Sequence, residues 1–147
     1  MTEAEILNDL TGKIIHAAIE VHKVLGPGLL ESAYRICTAH ELMLDNLQVA
    51  QEVPLPIVYK GVHLEAGYRL DMVVNDGVIV EFKSIEALGP IHEAQVISYL
   101  KHSGLKVGLL INFNVKVLRY GIRRIINNFP DTPNSIKRTP PRVSREI

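Results

Sequence analysis

There is one cysteine in the chain, Cys37. That excludes an internal disulfide framework and a cysteine-rich zinc site. Cys37 falls on an apolar helical stripe and reads as a core thiol. No apolar run is long enough to span a bilayer. The opening "MTEAEILNDL" is acidic and polar, unlike a secretory leader, so the expected location is cytoplasmic and away from membranes. No charge of one sign dominates: sixteen Lys and Arg balance sixteen Asp and Glu. A chain that grips nucleic acid through bulk charge is usually basic, so any such partner must be held locally here. The clearest local excess is Arg119, Arg123 and Arg124, then Lys137, Arg138, Arg142 and Arg145. A solvated helix end and a charged tail account for that excess without any partner. Also missing are a Ser-His-Asp arrangement, a Gly-rich phosphate loop after a strand, a zinc spacing and an internal repeat.

What is present suits one domain with a substantial core: 147 residues, 47% of them hydrophobic. Apolar residues recur at helical spacing from Ile6 to Leu25, through Ile14, Ala18 and Val21, until "GPG" stops the helix. A second helix is expected from Leu29 to Leu44, with Leu30, Ala33, Cys37 and Leu44 on one side. The period then changes. "VPLPIVY" and "VHLEAGYRLDMVV" read as strands, and "NDG" turns into "VIVEFK". Pro54 and Pro56 put the first of these at an edge or make it start late. A helix from Ile91 to His102 follows, its boundary marked by Pro90. "KVGLLINF" and "VKVLRY" read as two more strands, and Ile122 to Asn128 as a short helix. The expected organisation is a single α/β domain over 1–129, a small mixed sheet flanked by helices. A Pro-rich basic tail over 130–147 is expected to be mobile or to lie along the surface.

The strand "VIVEFKS" raises the chemical question. Val78, Ile79 and Val80 suit a buried strand; Glu81 and Lys83 do not. With Asn75, Asp76 and Gly77 as a three-residue loop, Gly77 left-handed, Val74 lies opposite Val78 and Asp71 opposite Glu81. Alternation then places Asp71, Val73, Ile79, Glu81 and Lys83 on one face. Leu70, Met72, Val74, Val78, Val80 and Phe82 form an apolar core face. Facing carboxylates repel, the more so as water is excluded. Lys83 partly neutralises them, and a divalent ion with oxygen ligands, Mg²⁺ or Mn²⁺, does so better. From spacing alone, an ordinary Lys–Glu ladder on a solvated face reads equally well.

Asp on the second strand and Glu-x-Lys on the third, between a leading and a following helix, resembles the PD-(D/E)XK restriction-endonuclease-like core. Leu70 stands where that motif often has proline. More narrowly, "GLLESAY", Gly28 to Tyr34, resembles the signature that names the GxxExxY family. "VPLPIVYKG", "YRLDMVV", "VIVEFKS", "HEAQVISYLK" and "GLLINF" are similar to that family in the same order, over Leu10 to Asn128. The resemblance implies a metal-dependent phosphodiesterase acting on nucleic acid, most often DNA. It implies Asp71 and Glu81 as metal ligands, the Phe82 carbonyl as a further one, and Lys83 beside the attacking water. It implies Glu31 as a third acid on the helix before the sheet. It also sets Gln95 and Tyr99 in a Q-x-x-x-Y element like that of RecB-like exonuclease branches. A nuclease-like fold that binds nucleic acid or a protein without catalysis is the rival expectation. The oligomeric state is left open, a homodimer included.

Each of these residues also has a local explanation. Glu31 stands in the first turn of its helix, where the dipole favours it, one turn from Arg35. Tyr34 either orients Glu31 or packs on the sheet. Gln95 and Tyr99 could border an amphipathic helix beside the stripe Ile91, Ala94, Ile97 and Leu100. His16 and Glu20 suit a solvated face, His22 a hydrogen-bonded core position, and His92 and His102 a helix border.

Overall fold

The computed structural model describes residues 1–65, 67–130 and 143–144. Helix α1 (Glu3–Leu25) opens with a capping box: Thr2 Oγ1 accepts from Glu5 N–H at 3.1 Å, and Thr2 N–H donates back to Glu5 at 2.8 Å. Those two bonds hold the Glu5 carboxyl below its ordinary range. The expected stripe of Ile14, Ala18 and Val21 is buried. Helix α2 (Glu31–Leu44) is rotated from expectation. It buries Tyr34, Thr38, Ala39 and Leu42, while Leu30 and Leu44 are exposed. Tyr34 sets this rotation. Its ring stacks on Phe113 at 4.4 Å, and its hydroxyl donates to the Gly26 carbonyl and accepts from Leu29 N–H. The "GPG" turn is thereby clamped to the core.

The main sheet runs β1 (Val49–Pro54), β4 (Arg69–Val74), β5 (Val78–Lys83), β6 (Val107–Asn112), β7 (Ile122–Ile126) and β8 (Val143–Ser144), in that spatial order. Only β5 and β6 are parallel, joined through α3 (Pro90–Ser103); the other pairs are antiparallel. A separate ribbon, β2 (Ile57–Tyr59) with β3 (Val62–Leu64), leaves the sheet after β1. So "VHLEAGYRLDMVV" is two strands, not one. The central strands β4, β5 and β6 are buried on both faces. Helices α1 and α2 cover Met72, Val74, Val78, Val80 and Phe82. Helix α3 covers Val73 and Ile79 with Val96, Tyr99 and Leu100. Strand β1 lies at the edge and ends at Pro54, as the prolines implied.

Three local expectations fail for identifiable reasons. In the β4–β5 turn it is Asn75 and Asp76, not Gly77, that are left-handed, at φ 49° and 52°. Asn and Asp tolerate that region. Gly77 instead makes room for α1: a Cβ there would meet Leu7 at 3.3 Å. The Val74↔Val78 register itself holds. "VKVLRY" is not a strand but a bend and a 3-10 helix (Leu118–Gly121). Ile122–Ile126 is strand β7 rather than a helix; its β-branched residues pair with β6, and tertiary pairing overrides the helical spacing. Most of the Pro-rich tail expected over 130–147 lies outside the described residues. Among the described residues no helix is long and apolar enough to cross a membrane.

Candidate metal centre

Asp71 and Glu81 come from the middle of β4 and the end of β5. Burial there is decisive: Glu81 is only 5% exposed and packs among buried strand residues. A solvated Lys–Glu ladder is excluded. The antiparallel ladder runs through Met72↔Val80 and stops short of Asp71 and Glu81. In its place the Asp71 carboxylate accepts from the Phe82 N–H at 2.9 Å. A side chain thus substitutes for a backbone acceptor and opens the strands at this point. Across β4 on the other side, Glu52 stands between the pairs Gln51↔Met72 and Val53↔Leu70 with φ 51°. A left-handed Glu inside a strand costs about 1 kcal/mol or more. Its side chain ties down both Arg35, at 3.2 Å, and Arg69, at 3.4 Å. Arg35 therefore turns to β1, and not to Glu31 as the helix spacing suggested.

The electrostatics follow from this geometry. Burial pushes the Glu81 carboxyl up to about 8, and the Asp71 charge adds to the rise; Lys83 offsets only part of it. Asp71 is raised too, by burial first, with the Phe82 N–H and Lys83 pulling it back. The metal-free pair therefore holds a proton at neutral pH. Oε1 of Glu81 is buried without a hydrogen-bond partner among the described residues.

Three other expected residues bear on the pair. Glu31 is exposed at the start of α2; its charge raises both Asp71 and Glu81, and its carboxylate accepts from Ser84 N–H at 3.4 Å. Tyr99 is raised by burial first and then by the charges of Glu81 and Asp71, which places it within electrostatic reach of the pair. Gln95 donates to that hydroxyl at 2.9 Å. Both lie on the side of α3 toward the pair because α3 is rotated: Val96, Tyr99 and Leu100 are buried, while Ile91 is exposed. Among the described residues, however, no three His, Cys, Asp or Glu side chains are grouped to hold a metal ion. The buried donor set is the carboxyl pair of Asp71 and Glu81.

The histidines lie elsewhere. His22 Nε2 is 2.7 Å from the Val115 carbonyl, in the core as expected. His92 accepts from Gly89 N–H at the head of α3. Asn112 was missed. It is buried beside Lys83 in register, accepts from the N–H groups of Ile85 and Asn114, and donates to the Ile85 carbonyl. A polar residue closing an apolar run, "GLLIN", was the available signal. Asn112→Ala strands the N–H groups of Ile85, in the loop after Lys83, and of Asn114, while the Ile85 carbonyl keeps the Asn114 side-chain donor. It should cost about 2–3 kcal/mol in urea unfolding and speed amide exchange at Ile85. Unchanged exchange at Ile85 would show that Asn112 does not anchor the loop.

A family model of the PD-(D/E)XK nuclease superfamily matches residues 8–125. The chain belongs to that superfamily. No curated protein and no solved structure matches it. Membership gives the α/β nuclease-like core and a nuclease ancestry, and nucleases of this superfamily generally use divalent metals such as Mg²⁺. The matched span includes Asp71, Glu81 and Lys83.

Proposed function

We propose that this chain is a divalent-metal-dependent nuclease of the GxxExxY kind, hydrolysing phosphodiester bonds in nucleic acid, with DNA as substrate. The observation that carries the reading is the buried Glu81 carboxylate, one oxygen unpartnered, beside Asp71 and Lys83. Hard oxygen donors and an excess of negative charge fit Mg²⁺ or Mn²⁺. Asp71 and Glu81 would hold the ion, with the Phe82 carbonyl as a neutral ligand and Glu31 acting through water. When bound, it lowers the pKa of a water and polarises the phosphate. Lys83, half-buried at the end of β5, donates to the attacking water or to the phosphate oxygen on which charge grows. Gln95 donates to the Tyr99 oxygen, which leaves the Tyr99 proton free to meet a phosphate oxygen. Arg35 and Glu52 hold the strand behind Asp71 in place.

One observation favours a second reading, a nucleic-acid-binding or protein-interaction module without catalysis. Asp71 already has a backbone partner, and among the described residues three metal-ligating side chains are not grouped. A substrate panel separates the two: single- and double-stranded DNA and RNA, each with Mg²⁺, with Mn²⁺ and with EDTA. The nuclease reading expects DNA cleavage with metal, none with EDTA, and a loss of about a hundredfold in Lys83→Gln. No cleavage of any substrate, together with no Mn²⁺ binding, leaves the module.

A further inference from the structure

The five tyrosines fall into two groups. Tyr34 and Tyr99 are buried; Tyr59, Tyr68 and Tyr120 are 61%, 44% and 66% exposed. Each exposed ring has a cation next to it in sequence: Tyr59-Lys60, Tyr68-Arg69 and Arg119-Tyr120, of which Arg69 is already shared with Glu52 at 3.4 Å. Two of these cations lie near their neighbour's ring: Lys60 is 5.4 Å from the Tyr59 centroid and Arg119 is 6.0 Å from that of Tyr120.

Topology gathers all three pairs at one end of the main sheet. Pro54 at the end of β1 lies opposite Arg69, so the β2–β3 ribbon with Tyr59 departs from there and Tyr68 returns there. Strand β4 is antiparallel to β5, so its start lies where β5 ends. Lys83, at that end, is in register with Asn112. Tyr120 closes the excursion from Asn112 back to Ile122, the partner of Ile111. This is the end that carries Asp71, Glu81 and Lys83. Tyr68 is the nearest of the three to Asp71 along the chain, directly before β4. With Leu55 and His63 it lines a groove of about 460 Å³.

An exposed aromatic face takes a nucleobase by stacking, and an adjacent cation takes the next phosphate. A duplex hides its base faces; a single strand offers them. We propose that this end of the sheet is a platform for single-stranded nucleic acid. Tyr68 receives the base beside the phosphate that meets Lys83, next to Asp71 and Glu81, and Tyr59 and Tyr120 receive bases farther out. The proposal rests on the nuclease reading for the placing of that phosphate. It accounts for a chain of zero net charge handling a polyanion: binding comes from stacked bases and a few local cations.

The test is fluorescence anisotropy in EDTA with labelled oligo-dT, oligo-U and a blunt duplex. Both single strands should bind about tenfold or more tighter than the duplex, and the stronger of the two names the sugar. Tyr68→Ala should weaken single-strand binding about tenfold, and Tyr68→Phe should restore it. Tyr68→Ala should leave the salt slope unchanged, whereas Lys60→Gln should reduce it by about 0.7. The chain has no tryptophan, so its tyrosine emission is unmasked and should be quenched by oligo-dT. Duplex bound as tightly as single strand, or binding indifferent to Tyr68→Ala, overturns the platform. So does a dimer in sedimentation that Tyr59→Ala dissociates, which would assign the surface to a second copy. Cleavage with Mn²⁺ is scored separately. A strand held by the tyrosines but never cut sinks the nuclease reading and keeps the platform; a duplex cut without tyrosine dependence does the reverse.

Discussion

Glu81→Gln is expected to melt higher than wild type at pH 9 and to lose metal-dependent cleavage by about a thousandfold or more. The two effects have one origin. Folded Glu81 titrates near 8, against an unfolded value of 4.5. Between those values the folded chain holds a proton that the unfolded chain has lost. Stability from this group is therefore complete below about 4.5 and falls as pH rises toward 8, after which it stays low. The loss is on the order of 3–5 kcal/mol. Gln is neutral at every pH and nearly the same size, so it removes that dependence. Its buried amide gives back about 1 kcal/mol if poorly paired. The net gain at pH 9 corresponds to roughly 4–10 °C in melting temperature for a chain of this size. Mn²⁺ should stabilise wild type more at pH 9 than at pH 6, because a ligand carboxylate must first lose its proton. It should leave the variant unmoved. Melting curves from pH 5 to 9, with and without Mn²⁺, read all of this. A wild type that is flat across the window, with a variant melting lower at pH 9, would mean that Glu81 is ionised and well paired in the fold. The strained-pair argument would then be wrong.

At Asp71, Asn and Ala are expected to part company. Asp71 accepts from the Phe82 N–H in a place where the strand ladder has stopped. Asn keeps an acceptor for that N–H and removes the repulsion with Glu81. Asp71→Asn should therefore be as stable as metal-free wild type, or slightly more so. Ala removes the acceptor as well and strands a buried donor, costing about 1–3 kcal/mol. Both variants should lose cleavage by about a thousandfold and bind Mn²⁺ weakly. Thermal melts with and without Mn²⁺, beside cleavage assays, separate the two contributions. An Asn variant that melts well below metal-free wild type, and still responds fully to Mn²⁺, would make Asp71 a structural strand residue. The catalytic reading of this hairpin would be abandoned.

The sequence made the motif legible because strands alternate. Once the turn fixes Val74 opposite Val78, the register follows as far as Met72 opposite Val80; beyond it the ladder stops, Asp71 takes the Phe82 N–H instead of pairing with Glu81, and Leu70 packs with Val73 and Ile79 rather than with Met72 as expected. Which residue carried the positive φ did not matter to that result, so misplacing it on Gly77 cost nothing. Helix rotation was less legible. Leu30 and Leu44 look like core on α2, yet Tyr34 takes the inward position because its hydroxyl can cap the turn before the helix. Residues whose importance is relational could not be read at all. Glu52 matters because it lies opposite Asp71 with a left-handed backbone, and nothing in "AQEVP" announces that. Asn112 matters because a loop from another strand lands on it. Strand β7 failed for a related reason: Ile122 to Ile126 carries both periods, and only pairing with β6 decides between them.

The burial of the central strands on both faces has a mechanical consequence. Helix α2, which carries Glu31, is seated in one hydrophobic layer, and α3, which carries Gln95 and Tyr99, is seated in the other. The sheet keeps these layers from touching through its middle. At the sheet's end the Glu31 contact with Ser84 and the Ser84 hydroxyl on the Leu29 carbonyl tie the start of α2 to the loop that leads from β5 toward α3. The centre is thus a seam between two layers that share one sheet, aligned at its end by a short strap. A small misfit in either layer displaces half of the seam relative to the other half while both layers stay folded. Alignment, more than stability, is what remote changes in this protein put at risk.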